Sequence, residues 1–156
     1  MAQDDFVFEF RYPIQALKVA EFARAIGEDQ VPSGVDDRIE SEDMPVPPTF
    51  PIVFTTPFLE VMLVDLLKLD RSRVLHGEQE YVYRRPLRIG DRVVARSRIA
   101  EDFHKAGKRG GQMRFVVTET EIRDEATEEL IATERATTIE TAPRGRIDKG
   151  VEEDEA

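Results

Sequence analysis

Apolar and polar positions change their period twice along the chain. Phe6, Phe8 and Phe10 alternate with Val7 and Glu9, a period of two that predicts a short strand or extended lead-in. From Ile14 to Ile26 the apolar residues Ile14, Leu17, Ala20, Phe22, Ala25 and Ile26 recur at near-helical spacing. Pro13 suits a first helical turn and Gly27 a left-handed stop, so this stretch predicts a helix of about three and a half turns. Between Glu28 and Phe54 neither period is sustained. Pro32, Pro45, Pro47, Pro48 and Pro51 keep that stretch out of helix and central strand, and a loop so long and stiff is expected to wrap the core or serve the function. From Pro57 to Leu69, Phe58, Leu59, Val61, Met62, Leu63, Val64, Leu66, Leu67 and Leu69 leave almost no polar face, the pattern of a helix buried on nearly all sides. Thr56 is its candidate N-cap, Pro57 a first-turn residue, and its end is expected near Asp70.

Beyond that helix the period is two, predicting strands near Arg73–Pro86, Asp91–Phe103, Gln112–Arg123 and Leu130–Thr141. Turns are supplied by Arg88 to Asp91, by Gly107 with Gly110 and Gly111, and by Arg123 to Glu129. Connections this short predict antiparallel neighbours. A strongly curved antiparallel sheet wrapped around a long buried helix satisfies both patterns; this is an α+β hot-dog fold, although a helix-on-sheet sandwich of another topology has the same periods. Residues 1–143 are expected to form this single domain. Residues 144–156, with too little apolar surface to offset the entropy of ordering them, are expected to be a disordered acidic tail.

At 156 residues the length suits one core. The formal charge of −10 disfavours nucleic acid and anionic lipid as partners, because phosphate binding needs a basic surface. Cysteine is absent, which excludes disulfides and thiolate metal sites. The longest apolar run is interrupted by Glu60, Asp65 and Lys68 and is too short to span a bilayer, so a soluble, cytoplasmic protein is expected. Neither cofactor nor metal is called for.

Three motifs occur in one order: Val46-Pro47-Pro48-Thr49-Phe50-Pro51, Val74-Leu75-His76-Gly77-Glu78-Gln79-Glu80-Tyr81, and Arg85-Pro86-Leu87-Arg88-Ile89-Gly90-Asp91. Together they resemble the N-terminal MaoC-like dehydratase domain, also known as the dehydratase domain of type-I fatty acid synthase. The similarity is closest to the non-catalytic subunits of heterodimeric (3R)-hydroxyacyl dehydratases and covers roughly residues 8–141. It implies an acyl-CoA or acyl carrier protein thioester as ligand. It also implies a substrate-holding subunit that pairs with a catalytic hot-dog chain, the alternative being a homodimeric acyl-CoA-binding protein without activity. In the strand from Glu78 to Arg84, Gln79, Tyr81 and Tyr83 share one face. A role in fixing a central strand competes with ligand contact for this motif. Gln79 is the preferred contact, since a neutral amide donates to a thioester or hydroxyl oxygen without burying a charge. Thr49, Phe50, Ile52 and Met62 are the other candidate walls of an acyl channel, with core packing as their ordinary alternative.

Catalytic members of the superfamily carry a Gly-Asp-x-Asn-Pro-x-His pattern after the first helix, whose Asp and His do the acid/base work. Here the stretch is Gly27-Glu28-Asp29-Gln30-Val31-Pro32-Ser33-Gly34. One register puts Glu28 and Ser33 at the two positions, the other Asp29 and Gly34. No catalytic residue is therefore assigned, and use of Glu28 or Asp29 in another manner is a third possibility. Asp36 with Asp37 reads as solvated. The histidines, His76 and His104, stand elsewhere. Phe54-Thr55-Thr56-Pro57-Phe58 also lacks the glycine that lets backbone N–H groups approach a thioester oxygen. Arg84, Arg85, Arg88, Arg92, Arg96 and Arg98 could meet phosphates or pair with Glu119 and Glu121 across the sheet.

Overall fold

The computed structural model describes residues 8–28, 45–61, 66–107 and 110–143, with backbone alone for 57–60. Asp29, Ser33, Gly34, Asp36, Asp37, Met62 and the acidic tail lie outside the described residues. The elements run β1 (Phe8–Pro13), α1 (Ala16–Ala25), α2 (Ile52–Val61), β2 (Val74–Tyr83), β3 (Arg92–Ala106), β4 (Gln112–Asp124) and β5 (Leu130–Glu140). The strands form one antiparallel sheet in the order β1-β3-β4-β5-β2, and this is the α+β hot-dog arrangement that the periods predict.

Four expectations need correction. Pro13 closes β1 instead of opening α1, because Ile14 N donates to Asp91 O at 2.8 Å and Gly90 N to Ile14 O at 2.8 Å, which hold the chain extended past the proline. Gly27 does take the left-handed stop, at φ 84°. The second helix starts at Ile52, not at Thr56. Phe50 N reaches Pro47 O and Val53 N reaches Phe50 O, so the proline stretch itself winds tight turns that lead into α2, and Thr56 and Pro57 fall inside it. Nor are the described residues in and just beyond that helix all covered. Phe54 and Thr55 are buried, but Val61 is 49% exposed and Leu66, beyond α2, is 53% exposed, since a single sheet shields one flank only.

The fourth correction concerns topology. β2 and β3 are consecutive but not neighbours: β2 pairs with β5 and lies at the sheet edge, not at its centre, while β3 sits between β1 and β4. Pro86 stops the ladder, and residues 84–91 cross the end of the sheet. Arg84 N donates to Ile131 O at 2.8 Å, and Arg85 is held by Asp91 at 2.7 Å and faces Asp124 at 3.8 Å. Gly90, at φ 93°, makes the turn back into β3.

The sheet's inner face carries two apolar clusters. One joins Ile14, Val19, Phe50, Phe54, Leu87, Val93, Ala95, Ile122, Ile131 and Ala132; the other joins Leu69, Val116 and Ala136. What separates them is a polar row.

Candidate functional site

Register places that row. Ser97 of β3 faces Thr120 of β4, Thr120 faces Glu134 of β5, and Glu134 faces Tyr81 of β2, so four polar residues cross the inner face side by side. Ser97, Thr120 and Glu134 are fully buried, and a hydroxyl–hydroxyl hydrogen bond of 2.7 Å joins Ser97 to Thr120. Buried hydroxyls satisfy one another in this way at little cost, whereas a buried carboxyl needs more.

Glu134 is 1% exposed. Its Oε1 accepts from Gln79 Nε2 at 2.7 Å, while its Oε2 has no hydrogen-bond partner among the described residues. Desolvation pushes the carboxyl up to about 7, the hydroxyl of Thr55 and the amide of Gln79 drawing it partly back. Thr55, on the first turn of α2, lies over the row but gives its proton to Pro51 O at 3.0 Å.

Gln79 organises what surrounds the acid. Its Nε2 also donates to Tyr81 Oη at 2.5 Å, and its Oε1 meets His76 Nε2 at 2.9 Å. Both amide hydrogens are thus engaged within the chain. Burial first, and the charges of Glu134 and Tyr83 next, raise Tyr81 further above its ordinary value, so its phenol keeps its proton. Tyr83, tilted against Tyr81 at 6.3 Å, donates to Pro48 O at 2.6 Å and ties the proline stretch to the edge strand. A buried acid raised above its ordinary value, beside a phenol and an amide, can accept or donate a hydrogen bond to a polar ligand atom.

Of the channel residues named from sequence, Phe50 is wholly buried, with Phe22 edge-on at 5.6 Å; Thr49 is exposed on the turn before α2; Ile52 is half-buried at its start; Gln79 stands on β2. His76 is exposed on β2 and reaches Glu134 only through Gln79, while His104 is exposed on β3. Glu28 is exposed beyond α1. Four of the six arginines are spent on carboxylates: Arg85 on Asp91, Arg92 on Glu125, Arg96 on Glu9 and Glu128, and Arg98 on Glu119. Pairing with acids thus accounts for most of the basic stretch.

Sequence reasoning missed Glu134. The signal was there: Ala132, Glu134, Ala136 and Thr138 share a parity on β5, which puts an acid on an otherwise small, uncharged buried face. Among the described residues there is no cluster of metal ligands and no helix long and apolar enough to cross a membrane.

A family profile described as FAS1-like, dehydratase domain region, matches residues 5–134. A UPF0336 protein of Thermobifida fusca is 35% identical over 125 residues, covering 77% of this chain and 78% of that one. One of Streptomyces avermitilis is 34% identical over 125 residues, covering 77% and 79%. Among solved structures, the HadBC (3R-hydroxyacyl-ACP dehydratase) complex of Mycobacterium tuberculosis aligns with a TM-score of 0.61 at 18% identity over 89% of this chain and 99% of that one. The ChsH1-ChsH2 complex of the same organism gives 0.62 at 18% over 89% and 85%, and the R-hydratase PhaJ1 of Pseudomonas aeruginosa 0.53 at 16% over 88% and 80%. At such identities these structures bear on the fold alone.

Proposed function

We propose, from the premise that this chain belongs to the FAS1-like dehydratase region family, that it is the substrate-holding, non-catalytic subunit of a (3R)-hydroxyacyl-thioester dehydratase or enoyl-thioester hydratase. Dehydration removes a proton from C2 and expels the C3 hydroxyl as water after protonating it, which needs a base and an acid held across the C2–C3 bond. One observation carries the assignment of those groups to a partner. The whole sequence has two histidines, and both stand exposed on strands, one spent on an amide and the other near a hairpin tip.

The sheet order supports a place for the partner. β2 is an edge strand with Leu75 56% and Val82 48% exposed, and a second hot-dog chain laid along it would continue the sheet and cover the exposed flank beyond α2. The solved relatives named as complexes of two chains are in keeping with such pairing. The acyl chain would then run between the proline stretch, α2 and the partner.

Dehydration of (3R)-3-hydroxyacyl-CoA, followed by enoyl absorbance, tests this with the chain alone and with a hot-dog chain bearing the Asp and His. Activity only in the mixture is expected. Activity of the chain alone would overturn the non-catalytic assignment, and Asp29→Asn, Glu28→Gln and Glu134→Gln would locate its source. Ligand binding without activity in either sample would favour the homodimeric acyl-CoA-binding reading.

A further inference from the structure

The Glu134 cluster is more elaborate than packing requires. A buried acid could have been replaced by a threonine like its neighbours Thr118 and Thr120, yet the chain keeps a carboxyl at 1% exposure with one oxygen unpartnered among the described residues. It also fixes that carboxyl and the Tyr81 phenol to the same nitrogen, Gln79 Nε2, at 2.7 Å and 2.5 Å. Two oxygens held by one amide stand close together with complementary capacities. Tyr81 Oη accepts from Gln79 and so retains its own proton to give, whereas Glu134 Oε2 has a lone pair left to offer. An aliphatic hydroxyl, which accepts one hydrogen bond while it donates another, fits between them; a saturated or enoyl chain supplies neither function at that carbon.

We propose that Tyr81 and Glu134 form a recognition site for the 3-hydroxyl of a 3-hydroxyacyl thioester, with Gln79 as the residue that positions both. The site lies on the inner face of the edge strand, and Gln79 and Tyr81 are half-buried on its approach. It rests on the acyl-thioester reading above and adds to it the discrimination of hydroxyacyl from deoxy ligands. Selection works through loss: a ligand lacking the hydroxyl leaves the acid and the phenol without the partner they are set up to bind.

The experiment compares binding of 3-hydroxydecanoyl-CoA and decanoyl-CoA to the full chain by calorimetry, with coenzyme A as blank. The wild type is expected to prefer the hydroxyacyl ligand roughly tenfold, one to two hydrogen bonds' worth. Tyr81→Phe and Glu134→Gln should each bring the two affinities within roughly threefold, part of the change coming from tighter decanoyl-CoA binding once the unpartnered group is gone. Circular dichroism of each variant establishes that it is folded. Gln79→Leu should do the same through both partners, and it should also abolish the ultraviolet difference signal of the Tyr81 phenol on ligand addition. Equal affinity of the wild type for the two acyl ligands, or a preference that survives Tyr81→Phe, would overturn the site and leave the acyl-thioester reading standing. Binding of neither acyl ligand would overturn that reading and the site with it.

Discussion

A carboxyl raised to about 7 at Glu134 makes stability depend on pH in an unusual sense. In the unfolded chain it titrates near its ordinary value of 4.5, so between there and about 7 the folded form binds more protons than the unfolded one and stability falls as pH rises. The effect is roughly 3 kcal/mol across the window. The acids held down by partners, Asp102 beside Arg114 and Glu128 beside Arg96, act oppositely; their contribution is present above the ordinary carboxylate range and is lost as pH falls through their lowered values. Thermal unfolding should therefore show a higher Tm near about pH 5 than near about pH 8. Glu134→Gln should flatten that slope; an unchanged slope would mean that another group carries it. A sequence shows the parity that turns Glu134 inward but not the amide that meets it, because Gln79 lies 55 positions away and arrives only through strand pairing.

At the scale of the element, β2 contains an irregularity between His76 and Glu78, and Gly77 sits in it. A Cβ there would meet Ile139 Cδ1 at 2.9 Å and Thr137 O at 3.1 Å; the first can yield, the second is backbone of the paired strand. Gly77→Ala should therefore cost roughly 1–2 kcal/mol and lower Tm by about 3–6 °C, measurable by calorimetry. The crossing at residues 84–91 depends likewise on Arg85 and Asp91. Arg85→Ala should lower the urea midpoint by an amount equivalent to about 1–2 kcal/mol, because it leaves a half-buried Asp91 with fewer donors. Four strands were legible to within a few residues, since alternation reports two faces directly. The start of α2 was not, because prolines argue against a helix interior yet are well suited to the turns that precede one.

For the molecule as a whole, alternation told which residues share a face but not which strands are neighbours. Only pairing places β2 at one margin and β3 beyond two intervening strands from it. That order exposes Leu75 and Val82 along an unpaired ladder. Sedimentation should show particles heavier than the 17.8 kDa of one chain, formed with itself or with a catalytic partner, and Leu75→Lys with Val82→Lys should return the species to one chain's mass. Persistence of the heavier species in the double variant would place the contact elsewhere.

The opposite margin is guarded by β1, six residues whose partners run from Phe8 opposite Ser97 to Pro13 opposite Arg92. A chain trimmed through Pro13 would strip the cover from β3 and bare the backbone donors and acceptors of a Val93–Val94–Ala95 stretch that is otherwise sealed. Such a fragment would offer a sticky seam on each flank in place of one, and open-ended polymerisation rather than a closed pair would be its natural fate.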